Sequence, residues 1–206
     1  MRTLEILAAK SLSISNRQKE IDGNYLLIGK CFKSEFISYL YFDLHYLPPN
    51  TEIKKAELIL YEAGKYCYYN NIPCIFNYLC GCRPEGSFNE QYAIYPLTDY
   101  FSSRTKFNNQ PAYTTLYTQE DELEGTVSVQ VGITSIVEHW MSGQLSNKGI
   151  ILKRREGHSK MVCLGSAVNW DITLIPSLKI SFNEFSFPVA ELNCSYKVIP
   201  PIRAGE

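Results

Sequence analysis

Cysteine, histidine and clustered carboxylates are the residues of this chain able to do chemistry, and their spacing decides which chemistry. Seven cysteines occur: Cys31, Cys67, Cys74, Cys80, Cys82, Cys163 and Cys194. Four of them crowd into CYYNNIPCIFNYLCGC, residues 67 to 82. Structural zinc favours paired C-x-x-C ligands around one tetrahedral centre. Here six, five and one residues intervene, and no histidine lies nearby. A C-x-C pair is also poorly placed to bring both thiolates to one ion. No metal and no cofactor is expected; loop disulfides or buried thiols suit the pattern better. The odd count leaves at least one thiol free or paired between chains. Cys31, Cys67, Cys74, Cys80, Cys82 and Cys194 are the cross-link candidates.

The three histidines, His45, His139 and His158, belong to no Ser-His or Cys-His signature. Glu120-Asp121-Glu122 forms a charged turn without apolar neighbours to raise a carboxyl pKa. The glycines are isolated, so no phosphate-cradling loop is present. No catalytic residue is assigned, and a non-enzyme is expected.

Composition narrows the partners. The 206 residues carry 20 basic and 21 acidic side chains, a net charge of −1. That lacks the basic footprint of a nucleic-acid binder, so no nucleic acid is expected. The apolar run Leu4 to Ala9 is short and interrupted by Glu5, unlike a signal peptide. No stretch approaches the roughly 20 apolar residues that span a bilayer. Cytoplasmic synthesis without a signal peptide, and no membrane insertion, are therefore expected.

The elements that must position these residues read mostly in twos. In ISYLYFDLHYLPPNTEIKKAELILYE, residues 37 to 62, Leu40, Phe42 and Leu44 alternate with Tyr39, Tyr41 and Asp43. Ala56, Leu58 and Leu60 alternate in the same way with Glu57, Ile59 and Tyr61. Successive side chains leave opposite faces of a strand, so each run marks a β-strand with one core face. The same pattern predicts strands over 3–8, 11–15, 25–29, 36–44, 54–61, 92–96, 125–130, 149–153, 161–165 and 177–182. Turn signals such as Asp22-Gly23, Pro48-Pro49 and Asn108-Asn109 separate them. An all-β sandwich of jelly-roll type follows. One stretch differs: Ile133, Ile136, Val137, Trp140 and Met141 recur at helical spacing. A single short helix over about 135–142 is predicted, with a capping box from Ser135 to Glu138 and a stop at Gly143. Trp140 lies on its apolar stripe and reads as a core plug.

The second face of the paired strands is unusual. Tyr39, Tyr41, Ile59 and Tyr61 stand where a solvated sheet would carry Lys, Glu and Thr. Either more of the chain covers them, or they form an interface or ligand platform, since exposed aromatics mark protein interfaces and can stack on sugar rings.

Several stretches carry a family resemblance. YLLIG (25–29), SYLYFDLHYLPPNTEIKKAELILY (38–61), KFNNQPA (106–112), VSVQVGITSIVEHWMSGQLSNKGIILK (127–153) and GSAVNWDITLIPSLKISF (165–182) together resemble the DNRLRE domain. That family is a β-sandwich related to carbohydrate-binding modules, some of which bind alginate. The chain departs from it at Gly132, where Asp is usual, and at Phe107, where Trp is usual. It is more similar still to short, signal-less members from spore-forming clostridia, which implies a spore or cell-surface location.

The resemblance covers residues 1 to 183, leaving 184 to 206 as an extension. There Ala190, Leu192, Cys194, Tyr196 and Val198 alternate with Glu191, Asn193, Ser195 and Lys197, and Pro200-Pro201 stops the run. This extra C-terminal strand either covers its own sheet's edge or is donated to a neighbouring subunit. Head-to-tail donation does not close and makes a filament. The expected function is a non-catalytic structural subunit that self-assembles into a surface fibre or coat layer, with itself as partner. The alternative is a carbohydrate-binding module with a polysaccharide as partner.

Overall fold

Alternating residues place their side chains on two sheets that face each other across one core. A computed structural model describes residues 1–19, 21–31, 33–48, 51–63, 88–117, 119, 122–124, 128–157 and 161–183. The first sheet is five-stranded, ordered β1 (Arg2–Leu7), β11 (Ser177–Phe182), β5 (Ile53–Tyr61), β8 (Ser128–Gly132) and β7 (Glu122–Glu124). The second is six-stranded, ordered β10 (Met161–Gly165), β3 (Tyr25–Cys31), β4 (Ser34–Tyr41), β9 (Ile150–Arg154) and β6 (Tyr92–Pro96), with β2 (Lys10–Ser15) paired to β4. All pairings are antiparallel. The chain crosses repeatedly between the sheets; β1 and β2, separated only by Ala8-Ala9, already lie in different ones.

The core between the layers takes Ala56, Leu58 and Leu60 from β5, Leu178 and Ile180 from β11, and Leu40 from β4, followed by Phe42. Leu26 and Ile28 of β3 and Ile150 and Leu152 of β9 complete its centre. Each of these Leu, Ile and Phe side chains contributes roughly 1.5–3 kcal/mol on full burial. Where β3 swings away from β4, hydroxyls close the gap. Ser13 on β2 donates to the Tyr25 carbonyl at 3.2 Å and accepts from the Leu27 N–H at 3.1 Å. Ser38, fully buried, donates to the Leu27 carbonyl at 2.8 Å.

The ten strands predicted before residue 183 each have a counterpart among the described residues, and β7 is an addition. β4 ends at Tyr41 rather than Leu44 because the next residues turn. The Asp43 carboxylate accepts from the His45 N–H at 3.1 Å, and Leu47 N–H donates to the Leu44 carbonyl at 3.0 Å. The helix is present as α2 (Thr134–Met141), after a four-residue helical turn, α1 (Phe88–Gln91). Ile136, Val137 and Trp140 are buried along α2, and Gly143 takes φ +74° at its end. The capping box is a correction: the N-cap is Ile133, with no side-chain cap hydrogen bond. The helix leaves β8 directly and is pinned to β5 instead. Ile133 N–H donates to the Ala56 carbonyl at 2.9 Å, and Ala56 N–H donates to the Thr134 hydroxyl at 3.1 Å. No described helix is long and apolar enough to cross a membrane. The extension, 184–206, lies outside the described residues.

Candidate functional site

The four residues expected to form one platform lie on two different sheets. Tyr39 and Tyr41 belong to β4, whereas Ile59 and Tyr61 belong to β5 on the opposite layer. They cannot form one surface. Ile59 is 8% exposed and lies opposite Gln130 and Ser177; Tyr61 is half-buried opposite Ser128. The outer face around them is polar, with Lys55 paired to Glu57 at 2.8 Å and Ser177 bonded to Glu5 at 2.7 Å.

Tyr39 is 0% exposed, because the chain folds back over it. Leu97, Phe101, Phe107 and Tyr113, from the segment after β6, pack with Ile14, Ile37, Tyr39 and Ile151 into a second apolar layer. Phe101 stacks on Tyr39 with ring centroids 5.4 Å apart. Gly149, at φ +97°, permits this approach: a Cβ there would sit 2.4 Å from the Leu40 carbonyl oxygen and 3.2 Å from the Phe101 ring. The Tyr39 hydroxyl is buried with no hydrogen-bond partner. Burial, then proximity to Tyr113, pushes its pKa far above the ordinary tyrosine value.

Among the described residues, Tyr41 is the one of the four that joins an aromatic surface cluster. At the end of the cover, Lys10 lies over the Tyr41 ring at 5.6 Å and Lys148 over the Tyr100 ring at 5.3 Å. Partial burial, Asp43 and Tyr100 raise the Tyr41 pKa. Asp43 is held below the usual carboxylate range by hydrogen bonds from the His45 ring and backbone N–H. The His45 ring sits against Tyr46, centroids 3.6 Å apart. Tyr100 is 71% exposed and Tyr46 is also exposed. This corner combines aromatic faces with two cations and a carboxylate. Tyr100 and the lysines escaped sequence reading because they come from segments far apart in the chain.

The sheet edges complete the picture. The far side of β10 is occupied by an antiparallel bridge between Leu164 and Glu62 and by Ala63 N–H donating to the Cys163 carbonyl at 3.1 Å. The far side of β6 is closed by the Gln119 side chain, which accepts from Ile94 N–H at 2.7 Å and donates to the Tyr92 carbonyl at 3.1 Å. β7 spans three residues. β1 is different. It is six residues long, lies at the end of its sheet, and Thr3 to Leu7 have no strand beyond them among the described residues. Ala8 N–H donates to the Pro176 carbonyl at 2.8 Å, towards β11. Because alternate residues of an antiparallel strand point their backbone groups to opposite neighbours, Thr3, Glu5 and Leu7 point theirs outward.

Among the cysteines, Cys163 is half-buried on β10 and disulfide-bonded, its partner outside the residues whose side chains are described. It is not among the cross-link candidates. Cys31 ends β3. Cys67, Cys74, Cys80, Cys82 and Cys194 lie outside the described residues, as do the donor-strand candidates Ala190, Leu192, Tyr196 and Val198. Among the described residues no group of three or more His, Cys, Asp or Glu is placed to hold a metal. No protein-family model matches the chain, and no curated protein matches it.

Proposed function

We propose that this protein is a non-catalytic structural subunit that self-assembles by strand addition into a surface fibre or coat layer, in keeping with its resemblance to clostridial DNRLRE-type sandwiches and their spore or cell-surface setting. The observation that carries this reading is the contrast between edges. Exposed edges template pairing with another chain, and proteins blunt those that must stay single. Of the four strands that end the two sheet paths, β10, β6 and β7 are covered or short, while β1 is six residues long with no strand beyond it among the described residues. β2, of equal length and paired with β4 alone, has its Ser11 and Ser13 hydroxyls bonded to the Ala167, Tyr25 and Leu27 backbone. The sequence supplies a matching strand in the Ala190–Val198 run of the extension. Donated to β1 of the next subunit, it gives open-ended growth by β-augmentation. Cysteines then lock neighbours under oxidising conditions.

The test is deletion of 184–206. The shortened chain is expected to remain folded and soluble and to stop polymerising, and a peptide of residues 188–202 is expected to bind it. A shortened chain that still forms fibres under negative-stain microscopy contradicts donation.

The Lys10, Tyr41, Tyr100 and Lys148 corner favours a second reading, binding of an acidic polysaccharide, because stacking faces and cations share one surface. Replacing Tyr41 and Tyr100 together by Ala should then abolish retardation in polysaccharide affinity gels. If no acidic polysaccharide retards the wild type, this reading falls.

A further inference from the structure

Large apolar side chains exposed singly on a surface need no explanation, but three within five residues do. Val168, Trp170 and Ile172 are 65%, 74% and 74% exposed, on the segment joining β10 to β11. That segment is fixed. Ser166 and Asn169, both buried, donate to the Gly23 carbonyl at 2.6 Å and the Asn24 carbonyl at 2.7 Å. Ala167 N–H donates to the Ser11 hydroxyl at 3.0 Å. Asn169 accepts from Asp171 N–H at 2.9 Å, and Asp171 accepts from the Thr173 N–H and hydroxyl at 3.0 and 2.7 Å. A Cβ on Gly165 would lie 2.0 Å from the Leu174 carbonyl oxygen, so the knuckle packs directly on the end of β10. The polar residues hold the segment down while the apolar ones point out. Such preorganisation lowers the entropy lost on docking.

The knuckle runs into β11 beside the end of β1, where Ala8 bonds to Pro176 and the half-exposed Leu7 lies opposite Ser177. The open edge therefore ends at an apolar prominence. The chain has 23 residues beyond Asn183, and their period-two run finishes in Ile199-Pro200-Pro201-Ile202. Prolines have no N–H for a ladder and favour polyproline geometry, which docks on aromatic rings. We infer that the Val168–Trp170–Ile172 knuckle is the second half of the acceptor site, seating Ile199–Ile202 of a neighbouring copy whose preceding residues lie parallel to β1. This rests on the strand-addition reading and adds to it a direction and an anchor.

Trp170 reports on its own docking. The difference between full-length protein and its Trp170→Phe variant isolates its emission from that of the buried Trp140. As concentration is raised through assembly, followed by sedimentation, Trp170 emission should shift to the blue and its quenching by acrylamide should fall several-fold. Full-length chain carrying Pro200→Ser, Pro201→Ser and Ile202→Ser should need about tenfold more protein to assemble. Assembly that leaves Trp170 fully quenchable, or that is unchanged in the triple variant, overturns the knuckle while strand addition stands. Protection by phosphatidylcholine–phosphatidylserine vesicles without self-association makes a lipid surface the occupant and overturns it too. A chain that stays monomeric at every concentration overturns both readings.

Discussion

At the level of single residues, Tyr39 illustrates how far side-chain type constrains role. Its aromatic face on a strand reads equally as a platform or as a second core, and the structure makes it core, beneath Phe101. Its hydroxyl is buried without a partner, and an unsatisfied buried group costs about 1–3 kcal/mol. Tyr39→Phe should therefore be neutral or stabilising in urea unfolding, where Phe36→Ala, at a fully buried neighbour on β4, should cost about 3–5 kcal/mol. The pH response has a definite sign. Burial raises the folded pKa, so the neutral phenol is favoured in the native state. The stabilisation is complete below the unfolded tyrosine pKa of about 10 and is lost as pH climbs above it. Midpoints measured from pH 8 to 11 should fall more steeply for wild type than for Tyr39→Phe. Gly149→Ala should destabilise by more than the roughly 1–3 kcal/mol of a strained φ, since the added methyl also meets the Leu40 carbonyl.

Elements were legible to the extent that their signals were local. Alternation in Ala56-Glu57-Leu58 or Leu178-Lys179-Ile180 is a property of the strand itself, and those strands are where periodicity puts them. The apolar stripe through Ile136, Val137 and Trp140 likewise determined the helix. Its start did not follow local chemistry, since the Thr134 hydroxyl is engaged by β5, a partner distant in sequence. Thr134→Val should therefore destabilise the β5–α2 junction by about 1 kcal/mol through the unpaired Ala56 N–H. Thermal unfolding would check this, and Ser135→Ala serves as the comparison for the capping box. The cover over Tyr39 was illegible for a related reason. Residues 97–113 carry no period, and their apolar residues Phe101, Phe107 and Tyr113 are spaced by turns. The supposed single platform failed because two consecutive strands, β4 and β5, belong to opposite layers.

On the scale of the whole molecule, the account comes down to which edges are finished. Gln119 seals β6, the chain after β5 seals β10, and β7 is too short to recruit a partner readily. Of these path-ending strands β1 remains without a neighbour on its outer side among the described residues, with a fixed apolar knuckle at its end, whereas β2 lies off the path beside β4. Amide hydrogen exchange tests this claim most directly, read residue by residue in dilute monomer and in the concentrated, assembled state. The outward amides of Thr3, Glu5 and Leu7 should exchange freely in the monomer and become protected on assembly. Those of Tyr92 to Tyr95 on β6 and Glu122 to Glu124 on β7 should stay unchanged. Fibres in which Thr3, Glu5 and Leu7 still exchange as in the monomer, or in which new protection falls on β6 or β7 instead, would contradict it.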